Sequence, residues 1–293
     1  MRLSKLSISL SILIVLTTLN AEAKIPLWKI SGKGLSKPSY IFGASALHSA
    51  ELLHEVDGLQ RVFNSSEVLI LESNNTPTDF VSKIRTYGLM KDQRIKNLFT
   101  EEDYKKVDKE VRGAITIGLF FLGGVKPAAL SMIICSAWQK DVMGGKKEEF
   151  LNKTLINNAK KSHNEVIALE SVEEQMDMML NAGTMEEQAE ILRRLVNQKQ
   201  TMIDMYRKGK EAYAKGDFET MGNLGRQFPL PYSLTAAGLD KMIFGRNHKW
   251  IKKIEPKMKA KSCLIIINPA QLVFDEGMLS LLRKAGYKVE EIN

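Results

Sequence analysis

The chain has 293 residues, is 44% hydrophobic and carries a formal net charge of +8. That length suits one large domain or two small ones and can bury a sizeable core. Metal-type cysteine spacing is absent, and beyond the N-terminus no apolar stretch reaches the roughly 20 residues a spanning helix needs.

Residues 1–23 read as a secretory signal peptide. Arg2 and Lys5 form a basic start, "LSISLSILIVLTTL" an apolar run, and Ala21-Glu22-Ala23 a small-x-small cleavage site. Cleavage there removes two basic residues and one acid and leaves a formal charge of +7. The remaining chain is expected to be soluble and exported, periplasmic or secreted, which makes nucleic acid an unsuitable partner. An oxidising compartment permits a bridge between Cys135 and Cys263, although both lie among apolar neighbours that suit buried free thiols.

The mature chain opens β-β-α-β. "LWKIS" (27–31) and "SYIFGA" (39–44) flank a Gly/Ser/Lys/Pro turn and predict a hairpin. "LLHEVDGLQRVF" has helical spacing, and "EVLILES" (67–73) reads as a buried strand. Helical signals then run to Ser162. Thr76 is placed as an N-cap before Pro77, Thr100 opens a capping box with Asp103, and an apolar helix follows Pro127.

A second passage reads helix ("EFLNKTLINNAKKS"), strand ("EVIALE", 165–170) and helix ("SVEEQMDMML"). From Thr184 to about Lys215 the composition is strongly helical, with Met202 and Met205 as core filling. "GRQFPLPYSL" interrupts the pattern, and "LDKMIFGRNHKWIKKIEPKMKA" resumes it. The chain closes with the strand "SCLIIIN", the helix "EGMLSLLRKAG" and the strand "YKVEEI". The expectation is an α+β fold with one domain over 24–293. Its sheet is built from two related β-α-β halves, surrounded by a large helical middle with excursions at about 76–162 and 184–260.

Reactive groups in such folds stand where strands end. Four ends are visible: "GASALH", "ESNN", "ESVEEQ" and "NPAQL", with Glu72 and Glu170 at the same relative position on two of them. Together with "LWKISGKGLSKPSYIFG", "VIALESVEEQ", "FGRNHKWIKKIEPKM" and "EGMLSLLRKAGYKVEEI", they make nearly the whole mature chain resemble the TraB/GumN family, which includes PrgY and the animal Tiki proteins. The resemblance implies a mixed sheet with helices around it and a metal-dependent peptidase activity. Two G-x-x-H motifs would supply metal-binding histidines, supported by a Glu and an Arg.

This chain departs from that pattern at both motifs. Ala46 stands at the first histidine position, in Gly43-Ala44-Ser45-Ala46, and His48 lies two residues out of register. Gln271 stands at the second, with Asn268 replacing the glycine before Pro269. An amide is a poor ligand for zinc-like ions beside imidazole. Other matching positions persist: Glu72 and Arg246 as residual catalytic groups, with Ser45, His48, Glu170, Gln175, Asn247, Asn268, Gln271 and Glu276 as candidate binding residues.

The resemblance therefore implies an exported pseudoenzyme without bound metal that holds a peptide or protein segment. Two alternatives stay open. One is an active hydrolase with Mn, Co or Zn, or with a rebuilt set of Glu72, His48 and Gln271 around a hard ion. The other is a basic envelope protein binding anionic polymer through residues 241–261, where eight Lys/Arg face one acid, Glu255. His54, His163 and His248 read as surface histidines.

Overall fold

The computed structural model describes residues 24–45, 48–73, 83–84, 86–143, 149–162, 164–228 and 233–292. The expected leader, the Thr76-Pro77 cap, Ala46 and His163 lie outside them, as does part of "GRQFPLPYSL".

The hairpin forms as expected. Strands β1 (Leu27–Ser31) and β2 (Ser39–Gly43) pair antiparallel with Leu27 opposite Phe42. The turn between them places Gly32 and Gly34 at positive φ, which glycine supplies without steric cost, and holds Lys33 left-handed between them at φ 47°. The helix expected over "LLHEVDGLQRVF" divides into α1 (Leu52–Glu55) and α2 (Leu59–Ser65), because Gly58 turns left-handed at φ 77°. Strand β3 (Val68–Leu71) follows.

The middle is helical: α3 (Glu101–Ile115), α4 (Pro127–Met143) and α5 (Leu151–Lys161). Thr100 caps α3 by accepting from the Asp103 amide, and its hydroxyl binds the Asp103 carboxylate. Strand β4 (Glu165–Ala168) leads to α6 (Val172–Leu180), whose Ser171/Glu174 capping box is complete. The long helical stretch after Thr184 breaks at Gln198 into α7 (Met185–Asn197) and α8 (Lys199–Ala214). Helices α9 (Phe218–Gln227) and α10 (Ala236–Ala260), strand β5 (Cys263–Ile267), a 3-10 turn (Pro269–Gln271), α11 (Met278–Lys284) and β6 (Lys288–Glu291) complete the order.

One six-stranded mixed sheet results, in the order β4-β3-β5-β2-β1-β6. Strands β4, β3, β5 and β2 run parallel, and β1 lies antiparallel to both β2 and β6. The two ends of the chain are not adjacent halves: β5 sits between β2 and β3, so they interleave. Every residue of β3 and β5 is buried, so helices cover both sheet faces there. Leu264, Ile265, Ile266 and Ile267 each contribute about 1.5–3 kcal/mol of apolar burial.

The apolar interior forms two clusters. One surrounds the sheet and takes in α1, α2, α5, α10 and α11; the other joins α3, α4, α6, α7 and α8. Helices α5 and α10, within the excursions expected from sequence, thus belong to the sheet cluster. Met202 is fully buried in the helical cluster and Met205 packs against it. Cys135 lies in the helical cluster and Cys263 in the sheet cluster, both as free thiols, so the bridge that the compartment would permit does not form. Burial pushes their pKa values up to about 12 and about 11. Among the described residues no helix is long and apolar enough to cross a membrane.

The last residue of β2 shows how tightly the strand ends are packed. A Cβ on Gly43 would stand 2.6 Å from the Phe218 ring and 2.9 Å from Leu272. Gly43→Ala is expected to cost about 1–3 kcal/mol by overpacking, read as a lower urea midpoint at unchanged slope. An unchanged midpoint would show that the ring is not held there.

Candidate functional site

The four parallel strands end together along one edge of the sheet, and there the side chains that follow β3, β4 and β5 gather around one helix. Glu170 follows β4, Glu72 follows β3, Asn268 and Gln271 follow β5, and Ser45 and His48 follow β2. Helix α10 crosses this edge and brings Arg246, Asn247 and Trp250.

Arg246 is the hub. Its Nε and Nη2 each donate to a different Glu170 oxygen at 2.8 Å, a two-point pair, and Nη2 reaches a Glu72 oxygen at 3.2 Å. The guanidinium stacks over Trp250 at 4.5 Å, and Trp250 Nε1 donates to Glu170 at 3.0 Å. The other Glu72 oxygen accepts the Asn268 backbone N–H. These groups are not sealed: the side chains of Arg246, Glu72 and Glu170 keep 14%, 20% and 11% exposure, enough to touch a bound molecule. Burial raises the Glu72 pKa above the usual carboxylate range, against the pull of Arg246 and the Asn268 N–H, and the Glu170 charge adds to the rise. Burial also opposes the Arg246 charge, but its bonds and charges to Glu170 and Glu72 outweigh that and hold its pKa high.

Gln271 has a defined place. Its side chain is 2% exposed, and the hydrogen-bond network assigns its amide orientation. The amide nitrogen donates to Asn247 Oδ1 at 2.8 Å and to the Ile243 carbonyl at 2.9 Å, and the oxygen accepts from Arg246 Nη1 at 3.0 Å. Fully buried Asn247 answers by donating to the backbone carbonyls of Gln271 and Glu276, both at 2.9 Å, which fixes the turn after β5. The Asn268 side chain caps that turn by accepting from the Ala270 amide at 3.0 Å. Glu276 lies on the rim, paired with exposed His248. The bond from His248 holds the Glu276 pKa down.

His48 stands apart from the carboxylates. Its Nδ1 lies 2.8 Å from the Ser45 backbone nitrogen, 3.0 Å from the Ser45 hydroxyl and 3.3 Å from the Ser45 carbonyl oxygen, so Ser45 holds this side of the ring. The ring stacks on Tyr213 with centroids 4.3 Å apart, and Tyr213 donates to the Gly43 carbonyl at 2.9 Å. Burial pushes the His48 pKa down to about 4, so the folded ring is neutral at pH 6. Gln175 sits partly buried in the first turn of α6, and among the described residues no hydrogen bond joins its side chain to the network. The depression along α1 and α2, lined by His54, Asp57 and Arg61 among others, includes none of these strand-end residues.

The metal that the sequence resemblance implies does not fit these side chains. Both Glu72 oxygens and both ends of the Gln271 amide bond partners within the chain, and His48 Nδ1 is engaged by Ser45, away from the carboxylates. A cation beside Gln271 would also face the Arg246 guanidinium. Among the described residues no three His, Cys, Asp or Glu side chains gather as a metal site requires. The basic run of α10 is partly spent too: Lys253 donates to the Leu169 carbonyl, and Lys257 and Lys261 both pair with Glu165.

Of the residues singled out from sequence, the structure brings Glu72, Glu170, Arg246 and Gln271 to one place; sequence reading missed Trp250, Tyr213 and Phe218. Residues 246, 250, 253 and 257 share one helix face by their spacing, and that signal could have found Trp250. A family model described as the TraB/PrgY/gumN family matches residues 26–291. The chain belongs to that family. No curated protein and no solved structure matches it.

Removing the guanidinium would leave two neighbouring carboxylates without their shared cation. Arg246→Ala is expected to lose about 3–5 kcal/mol at pH 7 and less at pH 4, where the carboxyls take up protons, as measured by urea denaturation at both pH values. An equal loss at both would mean that charge is not what the arginine supplies.

Proposed function

We propose that this TraB/PrgY/gumN-family protein is an exported, catalytically degenerate relative of the family's metallopeptidases, and that it holds a peptide or protein segment over the strand ends. The observation that carries this reading is the commitment of Gln271, Glu72 and His48 to internal hydrogen bonds beside a carboxylate pair that still reaches solvent. A hydrolase needs a polarised carbonyl and an activated water, and these side chains have no spare donor set to hold the ion that would supply both.

What remains is recognition. Two carboxylates share one guanidinium, so with both ionised the cluster carries one formal negative charge in excess. Such a rim accepts hydrogen bonds from peptide N–H groups and favours a basic side chain or a free amino terminus. Export rests on the leader-like residues 1–23, and the reading of anionic-polymer binding is weakened by the internal bonds of Arg246, Lys253, Lys257 and Lys261.

Fluorescence polarisation with labelled short peptides, combined with mass spectrometry of the same mixtures, tests this. Peptides with a basic end are expected to bind saturably and remain intact, and Glu72→Gln to weaken binding about tenfold, or about 1.4 kcal/mol. Cleaved peptides, or equal binding by the variant, would contradict the reading.

A further inference from the structure

The turn between α3 and α4 leaves two neighbouring phenylalanines in solvent. Phe120 and Phe121 are 82% and 77% exposed and meet edge to face at 5.2 Å, with half-exposed Ile117 and Leu89 nearby in the same region. Large apolar side chains at that exposure have no packing role inside the chain, and grouped ones mark an interaction site.

The loop is held in this form. Thr116 turns left-handed at φ 60°, Leu119 is fully buried in the helical cluster, and its N–H donates to Asp108 at 2.6 Å. A strap over residues 88–97 runs alongside. The Met90 amide donates to Gly124 at 2.7 Å, Ile95 to Gly123 at 2.8 Å and Lys126 to Gly88 at 2.8 Å. That strap carries exposed Lys91, Arg94 and Lys96 against one exposed acid, Asp92. Among the described residues none of the three cations has an ion-pair partner. Arg94 lies close by the loop, its Nη1 3.5 Å from where a Cβ on Gly124 would stand.

We propose that this turn inserts into an anionic lipid surface, with Phe120 and Phe121 entering the interfacial layer while Lys91, Arg94 and Lys96 meet the headgroups. Exposed aromatic rings on a turn beside a strap with unpaired cations match the chemistry of interfacial anchoring, where apolar burial and attraction to anionic headgroups add. A protein partner would instead have to offer an apolar hollow and acidic groups together. The helices remain outside the bilayer, and the strand-end site stays in water.

Residues 25–289 contribute every member of both apolar clusters, so the chain from Lys24 onward, lacking the apolar leader, is the protein to test. Sedimentation with phosphatidylglycerol vesicles is expected to pull it down, and with phosphatidylcholine vesicles far less. Phe120→Ser with Phe121→Ser should weaken binding about tenfold or more without shifting the thermal midpoint, and Lys91→Glu with Lys96→Glu should weaken it and remove most of its salt dependence. A Phe120→Trp reporter should shift to the blue on anionic vesicles. Binding unchanged by the serine pair would overturn the proposal. A concentration-dependent dimer that the serine pair abolishes, without vesicle binding, would overturn it in favour of a second copy of the chain.

Discussion

The strand-end edge of this molecule is organised by one guanidinium set between two carboxylates. Arg246 arrives from a helix and Glu170 and Glu72 from the ends of two parallel strands, so the contact ties α10 to the sheet as well as neutralising charge. Neighbouring groups support the cluster: Trp250 and the Asn268 N–H donate to carboxylate oxygens, and the Gln271 amide oxygen accepts from the third guanidinium nitrogen. A buried charge cluster left short of partners would cost several kcal/mol, and this one is closed on all sides but the rim.

Closure explains why Gln271 suits its position. A histidine there would present one acceptor and one donor, whereas the amide gives two donors to Asn247 and Ile243 and one acceptor to Arg246. Asn247 then holds the turn through two backbone carbonyls. The glutamine is therefore a member of a satisfied network. On the neighbouring strand end, Gly43 leaves room for Phe218 and Leu272, so the space over β2 is occupied by packing.

Much of this was legible in the sequence because strands buried on both faces read as continuous apolar runs, and their ends are marked by the polar residues that follow. "EVLILES" and "SCLIIIN" located Glu72 and Gln271 in this way, and the capping residue Thr100 fixed a helix start. The interleaving of β5 between β2 and β3 was not legible, since apolar strands carry no record of which neighbour they choose. The breaks at Gly58 and Gln198 escaped because helical spacing continues across them. Half of the basic residues in the α10 run looked like a polymer-binding face but bond to Glu170, Glu72, Leu169 and Glu165, distant partners that composition cannot reveal.

The most direct test of the account is elemental analysis of the purified protein after dialysis against dilute Mn²⁺, Co²⁺ and Zn²⁺ in turn. The closed network predicts no stoichiometric ion in any of the three, for the wild type and for Glu72→Gln alike. One ion per chain in the wild type, lost in Glu72→Gln, would contradict it and return the strand ends to metal-dependent hydrolysis.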